Sequence, residues 1–231
     1  MKATPPSPII LDGRTVQLVP LTVNHADELF PSVDANHEDG LKVWTYIPDG
    51  PFFHPAPLRE HFANIIASPD LFLAIIDKRQ SLPTITTGKP AVAGYLALMN
   101  SVPDHRRLEI GHVILSPALQ RTTGASEALF LALDYTFRLG NVRVEWKCDV
   151  RNEASRRAAA RLGFQAEGVF RRHMWVRGET RDTAWFSMLR EEWEGENEDG
   201  GVKGMFGRWL DRDNFDAEGR QKKTLQELRF R

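Results

Sequence analysis

The chain has 231 residues, 30 Lys and Arg against 31 Asp and Glu, and 42% apolar residues. That is enough to close one core of about 150–200 residues with an appendage, and the near-neutral balance excludes the broad basic face of a nucleic-acid binder. A single Cys148 excludes an internal disulfide framework and a cysteine-rich metal site. Neither the opening MKATPPSPII nor any later run approaches the roughly 18 apolar residues of a membrane span, so a soluble cytoplasmic protein without membrane partners is expected.

In chain order, RTVQLVPL (14–21) reads as a strand ended by Pro20, and Thr22 or Asn24 is placed to cap a following helix. HEDGLKVWTYIPDGPFFHP (37–55) has no regular period and is expected to be a long ordered loop, which its aromatic residues hold in place. APLREHFANIIAS reads as a helix with Leu58, Phe62 and Ile65 or Ile66 inward. LFLAIIDK, AVAGYLALMN and RRLEIGHVIL are strand patterns, the first two separated by the turn-rich LPTITTGKP and the third stopped by Ser116 and Pro117.

The helix predicted over 125–139 is apolar apart from one narrow stripe, Glu127, Asp134 and Arg138, so it must lie against a sheet. NVRVEWKCD alternates: Val142, Val144, Trp146 and Cys148 face one way, and Arg143, Glu145, Lys147 and Asp149 the other, as in a half-buried strand. EASRRAAARLG is a helix with Ala154, Ala158 and Leu162 in line and Gly163 as its stop. FQAEGVFRRHMWV and DTAWFSMLREEW flank the turn RGETR as a hairpin. The domain is expected to span 1–194, with 195–231 a linker and a tail that packs back through Phe206, Trp209, Leu210, Phe215, Leu225 and Leu228.

Between the third strand and the apolar helix lies LQRTTGASEAL, a turn of small residues running straight into a helix N-terminus, where main-chain N–H groups without partners can hold an anion. A second short motif, N-E-A-S, puts Asn152 at a cap position and Ser155 in the first turn. His112 reads first as a core or edge histidine and second as a base; the remaining histidines lack metal-ligand spacing, and no metal is expected.

Taken together, LEIGHVIL, LQRTTGASEAL, VEWKCDVRNEASRRAAARLGF and AEGVFRRHMWVRGETRDTAWFSMLREEW, in this order, resemble the GNAT acetyltransferases. Within that family they resemble the RimJ/RimL branch of ribosomal-protein N-terminal acetyltransferases, over roughly residues 10–194. The resemblance implies an α/β (α+β) GNAT fold: a mixed, mostly antiparallel central sheet whose fourth and fifth family strands splay apart, with flanking helices. It implies acetyl-CoA as cosubstrate and direct acetyl transfer to a primary amine, either a protein or peptide N-terminus or a small-molecule amine. It also allows a homodimer.

The family's loop pattern aligns on Gln120, Arg121, Thr122, Thr123, Gly124 and Ala125, with Thr123 where the family has Gly and the glycine one place on. Leu115, Ser126, Asn152 and Arg156 complete the implied coenzyme A contacts. Glu109 is implied as the base, directly or through water, and Ser155 as the acid that protonates the departing thiolate. As residues alone, Glu109 reads equally as a strand carboxylate paired with Arg107. Trp44, Tyr46 and Phe52 are expected to wall the acceptor pocket. Thr123 leaves a second reading open, a non-catalytic acyl-CoA-binding regulatory module that kept the fold.

An α-amine with a pKa near 7.8 is roughly 10–15% neutral at pH 7, against about 0.04% for a lysine. A single partly solvated carboxylate is therefore adequate for an α-amine and not for a lysine.

Overall fold

The computed structural model describes residues 2–79, 91–195, 200–218 and 220–229. Among the described residues eight strands form one sheet: β1 (Leu11–Asp12), β2 (Val16–Pro20), β3 (Leu71–Asp77), β4 (Ala91–Val102), β5 (Arg107–Leu115), β6 (Arg143–Asp149), β7 (Gln165–Val176) and β8 (Glu179–Leu189), in the order β1-β2-β3-β4-β5-β6-β8-β7. Every pairing is antiparallel except β5 with β6. Helices α1 (His25–Val33), α2 (Glu38–Val43) and α3 (Pro55–Ile66) precede β3; α4 (Thr123–Arg138) and α5 (Glu153–Leu162) flank β6; α6 (Arg190–Glu194), α7 (Gly201–Leu210) and α8 (Leu225–Arg229) close the chain. This is the expected mixed α/β GNAT architecture, with the short edge strand β1 moving the family's fourth and fifth strands to β5 and β6.

Both faces of the sheet are covered, so β3 up to Ile76 and β4 up to Met99 are apolar rather than alternating. Leu73, Ile75, Leu96 and Leu98 join α4 and the C-terminal helices in one core, while Phe72, Ala74, Tyr95 and Ala97 join α1 and α3 in the other. The segment LPTITTGKP lies outside the described residues.

Two local devices open the sheet. Parallel pairing of β5 with β6 is confined to Arg107–Glu109 against Arg143–Glu145, although both strands continue beyond it. On its other side β5 leaves regular register with β4 between Tyr95 and Ala97, where His112 takes φ 45°, a left-handed bulge that bends β5 away from β6. Gly94 permits the crossing: a Cβ there would sit 2.2 Å from the carbonyl oxygen of Ile114. At the other end of the sheet, Arg177 and Gly178 (φ 50° and 82°) make the β7–β8 turn with two positive φ values, which matches the strands' twist.

Five expectations are corrected. Residues 38–43 of the expected loop form α2, whose first turn carries Glu38 and Asp39, favourable to the helix dipole in a segment too short to show a period. Glu127 is not on a wet stripe: it is 4% exposed, and its carboxylate accepts from the N–H groups of Arg14 and Thr15 and from the Thr15 hydroxyl. Strand β6 is buried on both faces, with Glu145 and Asp149 as enclosed as Val144, because Arg and Lys partners cover its polar face. In α5 the buried residues are Ala159 and Leu162, while Ala154 is exposed. The REEW segment of the expected last strand is α6.

Candidate active site

The splay leaves a cleft of about 1990 Å³, walled by β5 on one side and by β6, β8 and α5 on the other. Its head is the turn into α4. Thr122 caps that helix, its hydroxyl accepting from the Ala125 N–H at 3.3 Å, and the amides of Leu119, Gln120 and Thr122 are bonded within the turn. Arg121, at φ 60°, reverses the chain. Among the described residues the N–H groups of Arg121, Thr123 and Gly124 have no protein acceptor, the arrangement in which a helix N-terminus holds an anion. Gly124 itself serves packing: a Cβ there would meet Val16 at 2.9 Å and Leu119 at 3.2 Å. Beside this turn, Arg161 of α5 donates to Ser126 Oγ at 2.9 Å. No carboxylate among the described residues pairs with Arg161, and burial lowers its affinity for a proton.

At the crotch of the splay, Glu109 and Glu145 face each other across the last paired rung. Lys147 bridges them, 2.7 Å from Glu109 Oε2 and 2.9 Å from Glu145 Oε2, and its ammonium lies 4.1 Å from the centre of the Trp185 ring. Asn100 Nδ2 donates to the same Glu109 oxygen at 2.9 Å. Arg107 pairs with Glu145 at 3.4 Å instead of with Glu109, whose Oε2 is taken by Lys147 and Asn100, so the sequence-level pairing is corrected. Despite its burial, Glu145 is held below the ordinary carboxylate range by Lys147 and Arg143.

On α5, Asn152 Oδ1 accepts from the Ser155 N–H at 3.0 Å, and Ser155 Oγ accepts from Trp146 Nε1 at 2.9 Å. With a lone pair so occupied, the hydroxyl keeps its proton to donate. Burial pushes the neighbouring Cys148 thiol up, against a hydrogen bond to Ser155, so it is a packed thiol and not an activated nucleophile.

Deeper in the cleft, His112 faces the loop that follows α2. Its Nδ1 is buried without a hydrogen bond, 3.7 Å from Asp49 Oδ2, and its ring packs edge-on against Phe72. His61 Nε2 lies 3.4 Å from the Tyr95 hydroxyl in the same group, and burial lowers its pKa. The loop is tied down from the hairpin: Arg177 donates to the carbonyl oxygens of Trp44, Ile47, Asp49 and Gly50 at 2.7–3.2 Å.

Of the sequence-predicted residues, Glu109, Ser155, Asn152, Leu115, Gln120, Arg121, Thr122, Ala125 and Tyr46 line the cleft. Thr123, Gly124, Ser126 and Arg156 do not; Arg157 lies on the wall where Arg156 was expected. Trp44 and Phe52 are corrected from pocket walls to core anchors: they meet edge-to-face at 4.9 Å, and the Trp44 N–H donates to Val33 O, because a long loop is held by burying its largest rings. Sequence reasoning missed Lys147, Asn100 and Asp49. For Lys147 the signal was present, a cation flanked by acids on a strand assigned a wet face. For Asp49 there was none, since only the fold brings it to His112.

Residues 15–165 match the family model described as an acetyltransferase (GNAT) domain, and the chain belongs to that family. A GCN5-related N-acetyltransferase from Brucella melitensis is 41% identical, with a TM-score of 0.87, over 99% of this chain and 97% of that one. The uncharacterized N-acetyltransferase YoaA of Bacillus subtilis is 39% identical over 87 residues, 37% of this chain and 49% of that protein, so the match spans about half of its length. An acetyltransferase from Salmonella typhimurium that modifies the N-terminal serine of ribosomal protein L7/L12 shares the fold, with a TM-score of 0.63 at 20% identity over 78% of this chain and 99% of that one. The protein is thus a GNAT-family acyltransferase.

Proposed function

We propose that the chain moves an acetyl group from acetyl-CoA to a primary amine, a peptide or protein N-terminus first, by direct transfer in a ternary complex. The observation that carries this is the turn into α4, whose Arg121, Thr123 and Gly124 amides lack protein acceptors and whose Arg121 and Thr122 line the head of a cleft that continues to Glu109, His112 and Ser155. Those amides take the diphosphate, and Arg161 adds a cation behind them. Asn152 and Ser155 border the thioester arm.

Acetyl-CoA supplies an activated thioester, and the amine's attack on its carbonyl carbon forms the C–N bond as the C–S bond breaks. A main-chain N–H of the β5 bulge polarises that carbonyl. Glu109 takes the amine's proton through water and gives it up to solvent, while Ser155 donates its own to the departing sulfur and regains one from water. A second route for the amine's proton rests on His112. Its ring lines the cleft, with Nδ1 buried 3.7 Å from Asp49 Oδ2 and without a hydrogen bond. The acceptor end carries two buried donors without partners, Arg181 Nε and Trp185 Nε1, which suit the carbonyl oxygens of a peptide better than a bare alkylamine.

The test is thermal: acetyl-CoA at about 100 times its Kd adds ~2.7 kcal/mol, worth roughly 5–10 °C for a chain of this size. It is followed by thiol release over a panel of peptides with free N-termini and of small amines. No shift sinks the reading; a shift with no thiol release over the whole panel leaves a binding module.

A further inference from the structure

The cleft does not end at the α4 turn. Beyond Arg121 and Thr122 its wall is continued by α5, through Arg157 and Arg161, and then by the C-terminal tail, through Trp209, Gln221 and Thr224. This tail follows the last residue matched by the family model. It is an ordered unit: Asn214, 8% exposed, donates to the carbonyl oxygens of Trp209 and Lys223 and accepts from the Lys223 N–H, fastening the two ends of its loop. Phe206, Trp209, Leu225 and Leu228 belong to the main core, and Phe215 lies under the Arg14 guanidinium at 4.1 Å.

Two donors in this wall lack acceptors. Trp209 is 4% exposed, and its indole Nε1 is buried with no hydrogen bond; Gln221 Nε2 is in the same condition. Buried donors without acceptors are rare in folded proteins and mark a missing partner. Two donors without acceptors thus stand in this wall together with Arg161, which no described carboxylate pairs.

We propose that the tail is part of the cosubstrate site and binds the 3′-phosphoadenosine end of coenzyme A, with Trp209 and Gln221 as donors. This rests on the acetyl-CoA reading above. If the α4 amides hold the diphosphate and the thioester arm runs toward Glu109, the nucleotide leaves the diphosphate in the other direction, along α5 toward the tail. The tail then makes the site specific for the complete coenzyme over its shorter pantetheine carriers.

The experiment uses the full chain with Trp209→Phe, which keeps the ring and removes the N–H, and Gln221→Leu, each checked for an unchanged thermal midpoint without ligand. KM is measured for acetyl-CoA, acetyl-dephospho-CoA and S-acetyl-4′-phosphopantetheine. Each substitution is expected to raise KM for acetyl-CoA about 3-fold to 10-fold while leaving KM for the phosphopantetheine donor unmoved. A penalty that disappears with acetyl-dephospho-CoA assigns the donors to the 3′-phosphate. One that persists with it, yet vanishes with the phosphopantetheine donor, assigns them to the adenosine of the same subsite. Equal penalties on all three donors, no penalty on any, or a lowered KM showing the tail to be a plug would overturn the proposal. If the wild-type chain binds no acetyl-CoA, the acetyltransferase reading fails first; wild-type binding with indifferent variants removes the tail alone.

Discussion

Replacing Lys147 with Met removes the ammonium and keeps most of the side-chain volume. Lys147 holds Glu109 at 2.7 Å and Glu145 at 2.9 Å, and these carboxylates are 6% and 3% exposed. Glu145 retains Arg143 at 3.1 Å and Arg107 at 3.4 Å, whereas Glu109 keeps only the Asn100 amide. Breaking a buried pair by removing one partner costs about 3–5 kcal/mol, and the surviving Asn100 bond puts this case toward the lower end. At roughly 2–4 °C per kcal/mol for a chain of this length, a loss of about 3 kcal/mol lowers the melting midpoint by about 6–12 °C.

The pH dependence has a definite sign. In the wild type the folded pKa of Glu145 lies below its ordinary value of 4.5, so its stabilisation is present above that value and is lost as pH falls through the lower one. In Lys147→Met, Glu145 loses the ammonium that lowers it and faces Glu109 across one rung, so the penalty is largest near pH 7 and shrinks toward pH 5. Urea unfolding of both proteins at pH 7 and pH 5 measures it. A loss below about 1 kcal/mol, the range of surface ion pairs, or a gap equal at both pH values would refute the reasoning.

Three further outcomes follow from the same geometry. Ser155→Ala should lower kcat by about 10²-fold, the low end for a lost general acid, with KM for acetyl-CoA changing much less; a kcat within twofold of wild type removes Ser155 from thiolate protonation. Arg177→Ala releases the carbonyl groups of the 44–50 loop, and faster amide exchange there should accompany a KM for a peptide acceptor raised about 5-fold, with KM for acetyl-CoA unmoved; an unchanged loop would show the latch to be idle. Glu167, lowered to about 2 chiefly by Arg143, stabilises the fold above its ordinary pKa of 4.5 and loses that contribution as pH falls toward 2. Glu167→Gln should therefore flatten the acid limb of stability between pH 5 and pH 2, and a limb of unchanged steepness would exclude the pair.

The elements with long, regular patterns were legible in the chain itself. The apolar run of α4, the Asn152 and Gly163 boundaries of α5 and the β7–β8 hairpin are local matters of capping, periodicity and turn chemistry, decided within a few residues. The order of the GNAT-like motifs placed the α4 turn, Asn152 and Ser155 on one cleft for the same reason: each lies at the end of a regular element whose neighbours are near in sequence.

What only the tertiary structure decided concerns charge and partners far apart in the chain. A strand's alternation tells which side chains share a face, not whether that face is wet, and so β6 read as half-exposed when Arg and Lys cover its acids. Glu127 satisfies a turn more than a hundred residues away, Lys147 serves a glutamate on another strand, and Asp49 meets His112 through a loop held by the far hairpin. No local pattern names the partner in such pairings, because the energy that fixes them arises when the fold removes water from groups that are independent in the extended chain.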